Sequence, residues 1–345
     1  MRSDDDDYFI SQEAKRMKKK MAALLTGLMV LGLCLTGCAD DTKTNADAAP
    51  EPAAEEPASE STEEPAVQEE NTEEPAEPEK EADTRLLVVS FGTSYNDSRD
   101  ITIGAVENSI AEAFPQYEVR RAFTAQIIID KLKERDGLEI DNVTEALDRA
   151  VADGIKKLIV QPTHLMNGLE YNDLEAELEE YKSDFEQIVL GEPLLTSDAD
   201  YEAVIKAITE ETASYDDGET AVVYMGHGTE AESNQIYASM QEKLTAAGFD
   251  NYYVGTVEAE PTLEDVAAAL KEAGTYKKVV LQPLMVVAGD HANNDMAGDE
   301  EDTWKTVLEA EGYEVECRLQ GLGELEGIQK IYVDHVKAAV AQMNK

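Results

Sequence analysis

The sequence predicts an α/β protein made of two similar Rossmann-like domains, each a four-stranded parallel sheet flanked by helices, with a cleft between them. Three observations predict it. From Arg85 onward, short β-rich apolar runs alternate with helix-period segments. The runs are too continuous for half-exposed strands, so they read as parallel strands buried on both faces. The order also repeats: Leu158-Ile-Val-Gln-Pro162 matches Val279-Val-Leu-Gln-Pro283, and Ser90-Phe-Gly-Thr93 answers Met225-Gly-His-Gly228. Alternation of this kind implies layered α/β packing with right-handed crossovers.

The elements follow in chain order. Residues 1–16 fit no export signal, and translation is expected to start at Met17. Lys18, Lys19 and Lys20 form a positive n-region, and Met21 to Leu35 carries no charge. At about 15 residues, that run is short for a membrane span and suits a signal-peptide core. It ends in Leu35-Thr36-Gly37-Cys38, which resembles the bacterial lipoprotein signal. The resemblance implies that 1–38 is a leader, that Cys38 takes a lipid on sulfur, and that the mature protein is anchored to the extracytoplasmic face of the cell membrane. Cys34 would leave with the leader. Cys317 would then be the only unlipidated thiol, which leaves no intramolecular disulfide and reads as a small buried hydrophobe.

Residues 39–84 read as a disordered acidic tether. They hold six of the chain's eleven prolines, 17 acids against two bases, and no aromatic residue. Such a segment cannot bury enough surface to fold, and like charges extend it. Eight strands are then expected at Leu86–Phe91, Tyr117–Phe123, Lys157–Pro162, Gln187–Leu190, Thr220–Met225, Asn251–Val257, Lys277–Pro283 and Tyr313–Leu319. One helix starts near Asp97 and puts Ile103, Val106, Ile110 and Phe114 on one face. Another starts at Thr262 with Asp265 in its first turn, and a terminal helix covers Glu326–Met343. Four strands per half give an N-terminal lobe over 85–200 and a C-terminal lobe over 215–345.

Composition narrows the function. The chain has 345 residues, 29 basic and 74 acidic side chains, and a net charge of −45. That excludes a general nucleic-acid binder, which needs a clustered basic surface, and disfavours attraction to anionic lipid. No G-x-x-x-x-G-K-[ST] loop is present, so no nucleotide is expected. Gly321-x-Gly323-x-x-x-Gly327 has the wrong spacing for a dinucleotide fingerprint and reads as a tight turn.

The histidines carry the chemistry. Only four exist, and His164, His227 and His291 each follow a predicted strand. Ligands of parallel α/β sheets bind at that carboxyl edge. Glu258 closes the strand Asn251–Val257 in the same half as His227 and His291. Two imidazoles and a carboxylate from different strand ends suit Co²⁺, Fe²⁺, Ni²⁺ or Zn²⁺ with open coordination positions. From spacing alone, hydrogen-bonded turn residues remain the alternative. His335 lies inside the terminal helix and reads as a surface or packing residue. His164, with Glu170, reads as a cleft hydrogen-bonder or a second proton acceptor.

Longer motifs connect these residues. Leu87-Val-Val-Ser-Phe-Gly-Thr-Ser-Tyr95, Arg121-Ala-Phe-Thr124, Asn167-Gly168 with Glu170-Tyr171, Met225-Gly-His-Gly228, Val257-Glu258 and Val287-Ala-Gly-Asp-His-Ala-Asn-Asn-Asp-Met296 resemble the anaerobic-type sirohydrochlorin cobaltochelatases. These are class II chelatases of the ferrochelatase-like fold. The resemblance spans 85–345. It implies metal ligation by His227, Glu258 and His291, with His227 also accepting a proton. It implies ATP-independent insertion of Co²⁺ into a tetrapyrrole, sirohydrochlorin, within cobalamin or tetrapyrrole biosynthesis. Glu260 competes for the carboxylate role, but the motif favours the residue directly after Val257.

Phe91, Thr93, Ser94 and Tyr95 end the first strand and are candidate substrate contacts, with a capped glycine turn as the competing reading. Arg120 and Arg121 are candidates for the tetrapyrrole's carboxylates, although strand alternation sends them to opposite faces. Residues 85–345 keep 52 acids against 21 bases, so any basic rim must be local. The expected partners are the tetrapyrrole and, through Cys38, the membrane, and a homo-oligomer is compatible with the sequence. An alternative function is an extracytoplasmic lipoprotein that binds metal, haem or another tetrapyrrole without turnover.

Overall fold

The computed structural model describes residues 81–345. The expected start at Met17, the leader, the lipidated Cys38 and nearly all of the acidic tether lie outside the described residues.

All eight strands form, at β1 Thr84–Ser90, β2 Glu118–Phe123, β3 Lys157–Pro162, β4 Gln187–Leu190, β5 Thr220–Gly226, β6 Tyr252–Thr256, β7 Lys278–Pro283 and β8 Glu314–Cys317. The first begins earlier than the apolar run suggests. Thr84 is buried in the ladder, and Arg85 reaches it by pairing its guanidinium with Glu118 and Asp153. Two all-parallel sheets result, ordered β2-β1-β3-β4 and β6-β5-β7-β8. The topology is the same in both halves.

Register corrects the internal match by one residue. Val89 opposes Pro162 as Met225 opposes Pro283. Ser90 therefore corresponds to Gly226, Phe91 to His227 and Gly92 to Gly228. The backbone agrees, since Gly92 and Gly228 both take positive φ, at 100° and 87°. Each follows its strand by two residues, where the chain must turn sharply off the sheet.

Alternation along the strands explains the layers. Leu86 and Val88 join Val222 and Tyr224 in one core cluster shared by both sheets. Leu87 and Val89 face a second cluster with helix residues Leu147 and Leu174, and Val223 and Met225 face a third with Trp304 and Leu308. The central strands β1 and β5 are buried at all seven positions, which is why their runs are nearly unbroken, whereas β2 and β8 at sheet edges carry Glu118, Arg120, Arg121, Glu314 and Glu316.

Ten α-helices surround the sheets among the described residues. Three matter for the site: α1 Asn96–Ile101, α2 Ile103–Ala113 and α3 Gln126–Asp136. The single helix expected from Asp97 is split at Thr102, which takes φ −111° and ψ −79° and hydrogen-bonds through its side chain to the Ser98 carbonyl. Ile103, Val106, Ile110 and Phe114 are buried as the period requires. The helix after Thr262 opens with a reciprocal capping box between Thr262 and Asp265.

The terminal helix, Glu326–Met343, leaves the half that precedes it. It packs on α2, on the helix Asp198–Glu211, and on β3 and β4 of the first sheet. Tyr332 donates its hydroxyl to the Thr163 carbonyl at 2.9 Å, and Ser109 donates to Gln329 at 2.8 Å. The lobe expected over 215–345 thus gives its last helix to the other sheet. The Gly321 turn makes the crossing. A Cβ on Gly321 would stand 2.5 Å from the Val286 carbonyl, and one on Gly323 would stand 3.1 Å from the Thr102 backbone.

Candidate metal centre

The centre begins at the ends of β5 and β6. Beyond the last ladder pair, Gly226 with Thr256, the pairing continues: Val257 N–H donates to the Gly226 carbonyl and Glu258 N–H to the His227 carbonyl, both at 3.0 Å. His227 and Glu258 are therefore held as neighbours by backbone. Gly226 lets this happen, because a Cβ there would stand 2.1 Å from the ring of buried Tyr237. Gly228 is needed twice over, for its positive φ and because a Cβ would stand 2.8 Å from the Ala259 nitrogen.

His291 arrives from the segment after β7. It opens a π-type turn over Ala292–Met296. Its ring lies edge-on to that of His227, with centroids 4.6 Å apart and planes at 84°. One ligand atom each from His227, Glu258 and His291 falls within 4.8 Å of the others. Bonds of about 2.0–2.2 Å to one ion hold ligand atoms no more than about 4.4 Å apart, so a small side-chain adjustment would close this triangle on a metal. Glu260 is more exposed and lies outside this group.

Hydrogen bonds orient both rings. The Gly228 carbonyl can only accept, so His227 Nδ1, 2.7 Å away, carries the proton and its Nε2 keeps a lone pair. His291 Nδ1 lies 2.8 Å from Asp295 Oδ2, which turns its Nε2 to the centre in the same way. Burial, reinforced by the charge of His291, holds the His227 imidazole below its ordinary pKa. Burial also pulls His291 down, but the hydrogen bond and charge of Asp295 outweigh it, and its pKa rises. The pair thus combines a neutral imidazole with one backed by a carboxylate.

The other candidates separate. Gly92 takes φ 100°, and Thr93 Oγ1 accepts from Tyr95 N–H at 3.2 Å, which is the capped glycine turn. Phe91 packs half-buried on the cluster of Ile103, Phe123 and Ala125. Ser94 and Tyr95 line an open cavity of about 610 Å³ beside the His291 segment. Tyr95 reaches across by donating to Asp290 at 3.4 Å, and Ala288 N–H donates to Ser98 Oγ at 3.1 Å. Neither strand arginine is near the centre by its contacts. Arg121 pairs with Glu107 on α2, and Arg120 with Glu118.

His335 Nε2 lies 3.0 Å from Asp200 and its Nδ1 3.0 Å from the Glu192 carbonyl, a packing role. His164 is buried, and neither ring nitrogen has a partner among the described residues. Burial pushes its pKa down to about 4. Cys317 packs half-buried beside the third cluster, and burial pushes its thiol up to about 11, which keeps it unreactive.

Asp295, Tyr237 and the α3 residues Lys131 and Arg135 carried no assigned role in the sequence. Asp295 was visible as the residue four after His291, which shares its side on a helical turn. Tyr237, which accepts from Gly228 N–H at 3.3 Å, gave no local signal, and neither did the cavity residues of α3.

Doubly layered parallel α/β architecture and a His–Glu–His triangle at the strand ends define a metal-handling protein of the chelatase type. A solved structure with this fold is SirB from Bacillus subtilis with Fe³⁺, at TM-score 0.54 and 14% identity, covering 76% of this chain and 97% of that one. SirB from Bacillus subtilis subspecies spizizenii in complex with cobalt gives a TM-score of 0.52 at 14% identity, covering 76% and 97%. Residues 84–341 match the family model described as Cobalt chelatase (CbiK), and the chain belongs to that family. A sirohydrochlorin cobaltochelatase of Salmonella typhimurium is 39% identical over 255 residues, 74% of this chain and 96% of the relative. A second, from Nitratidesulfovibrio vulgaris, is 32% identical over 261 residues, 75% and 91% of the two.

Proposed function

We propose that this protein inserts Co²⁺ into sirohydrochlorin without a nucleotide. The observation that carries the proposal is the triangle of His227, Glu258 and His291, each supplying one ligand atom within 4.8 Å of the others. Membership in a cobalt chelatase family and the two named relatives support the choice of metal and macrocycle.

Insertion exchanges one divalent cation for two pyrrole protons. Three protein ligands hold Co²⁺ and leave coordination positions open for macrocycle nitrogens. As the metal moves onto the ring, His227 Nε2 is released and can take one of the two pyrrole protons, the other passing to solvent. Its Nδ1–H, bonded to Gly228, keeps the tautomer that exposes that lone pair. Burial favours the neutral imidazole this step needs. His291 remains backed by Asp295, which makes it the firmer anchor of the two.

The test is purified protein with sirohydrochlorin and Co²⁺, followed by absorbance against the spontaneous reaction. Acceleration that His227→Ala largely removes supports the proposal. Stoichiometric binding with no acceleration would instead support metal or tetrapyrrole capture. The same assay with Fe²⁺, Ni²⁺ and Zn²⁺ ranks the metals. We further propose that Cys38 is lipidated and anchors the protein outside the cytoplasmic membrane. Metabolic labelling with a radioactive fatty acid tests this, and label persisting in Cys38→Ser would refute it.

A further inference from the structure

The cavity beside the His291 segment is lined by two basic side chains in a body where acids predominate. Residues 85–345 carry 52 acids against 21 bases. The cavity lining carries Lys131 and Arg135 from α3 and the carboxylate of Asp97, with Arg135 itself paired to Asp136. The two cations lie four residues apart, so they share one side of α3.

Arg135 is held in place. It pairs with Asp136, and its Nη2 donates to Asn96 Oδ1 at 2.8 Å. Lys131 is different: among the described residues it has no carboxylate partner, in a body where carboxylates are in excess. An exposed lysine with no partner is ordinary by itself. One that shares a cavity with a second cation, on a lining that includes Asn293 two residues after His291, is placed to receive an anion.

The rest of the lining narrows the ligand. Ile101 and Leu319 keep about half of their surface in solvent, at 51% and 46%, and both line the cavity. Exposed aliphatic side chains beside cations and hydroxyls suit a ligand with a flat apolar face and ionised edges. The cavity also connects, through its lining, to the segment that carries His291. Tyr95 lines it and donates to Asp290, and Asn293 lines it two residues after His291.

We propose that Lys131 and Arg135 grip peripheral carboxylates of the macrocycle and fix its rotation relative to the His227–Glu258–His291 centre. The inference rests on the tetrapyrrole reading above and deepens it. Charge-assisted contacts of this type orient a polycarboxylate while adding modest affinity at an exposed site.

The test uses the full chain and binding alone. Uroporphyrin, a polycarboxylate porphyrin, is titrated by fluorescence quenching into wild type, Lys131→Gln, Lys131→Glu and Lys133→Gln. Lys133 lies on the same helix outside the cavity and gives the same change of net charge. The Kd should rise about threefold to tenfold in Lys131→Gln and further in Lys131→Glu. It should stay within about twofold of wild type in Lys133→Gln. A cationic N-methylpyridyl porphyrin should bind Lys131→Gln no more weakly than wild type. Unchanged uroporphyrin binding in both Lys131 variants would overturn the inference. So would equal weakening in Lys133→Gln, equal weakening toward the cationic porphyrin, or no uroporphyrin binding by wild type. Should wild type fail to metallate sirohydrochlorin while the Lys131 dependence holds, the insertion reading falls and the grip stands.

Discussion

His164 predicts a specific loss of stability in mild acid. The side chain is buried, both ring nitrogens lack partners, and burial pushes its pKa down to about 4 from an ordinary value of 6.5. An unfolded chain binds the proton more readily, so protonation favours unfolding. The contribution is therefore complete above pH 6.5 and is lost as pH falls toward 4. Linkage gives a loss of about 2 kcal/mol between pH 7 and pH 5, and about 3 kcal/mol by pH 4. The perturbation that isolates it is His164→Leu, which removes the titrating group and keeps an apolar side chain. Urea unfolding of both proteins at pH 7 and pH 5 measures the gap between them. Wild type should lose about 2 kcal/mol more than the variant over that interval. Parallel pH curves would refute the reasoning and would mean that His164 has access to a proton-stabilising partner or to solvent in the folded protein.

Further outcomes follow from the same geometry. Asp295→Asn should weaken Co²⁺ binding about 10- to 100-fold by isothermal titration, because His291 loses the carboxylate that orients it. Gly226→Ala should cost about 1–3 kcal/mol in urea unfolding, since its methyl would overlap the buried Tyr237 ring. Thr262→Ala should cost about 1 kcal/mol by removing the capping-box hydroxyl, with metal binding unaffected.

Much of this molecule was legible in the sequence, for physical reasons that differ by element. The central strands announced themselves because both of their faces are covered, which forces nearly continuous apolar runs, while β2 and β8 at the edges carry charged residues. The strand-end histidines were legible because ligands collect at one edge of parallel sheets. The break at Thr102 was not, since the apolar period runs through it. At that turn Gly321 and Gly323 come close from the other half of the chain, where a Cβ would stand 2.9 and 3.1 Å from Thr102. The destination of the terminal helix was also hidden. An amphipathic pattern shows which face is apolar but not which sheet will cover it. Lys131 gave no signal because a lysine on an exposed helix face is ordinarily a solvated charge.

The structural register explains why, among the described residues, the fold used twice offers a His–Glu–His triangle in the second half alone. Ala125 N–H donates to the Phe91 carbonyl just as Glu258 N–H donates to the His227 carbonyl. The positions of His227 and Glu258 in the second half are thus those of Phe91 and Ala125 in the first. There, an aromatic ring packs on a methyl group beside Ile103 and Phe123, and no ligand atom is available. The backbone device is common to both halves: a strand, a residue aimed off its end, and a glycine at positive φ. What differs is the chemistry placed on it. The first half closes its position with apolar packing and presents the following residues, Ser94 and Tyr95, to the cavity. The second keeps its position polar and gathers His291 beside it. A duplicated scaffold can therefore divide the work between holding a macrocycle and holding a metal without either half changing its topology.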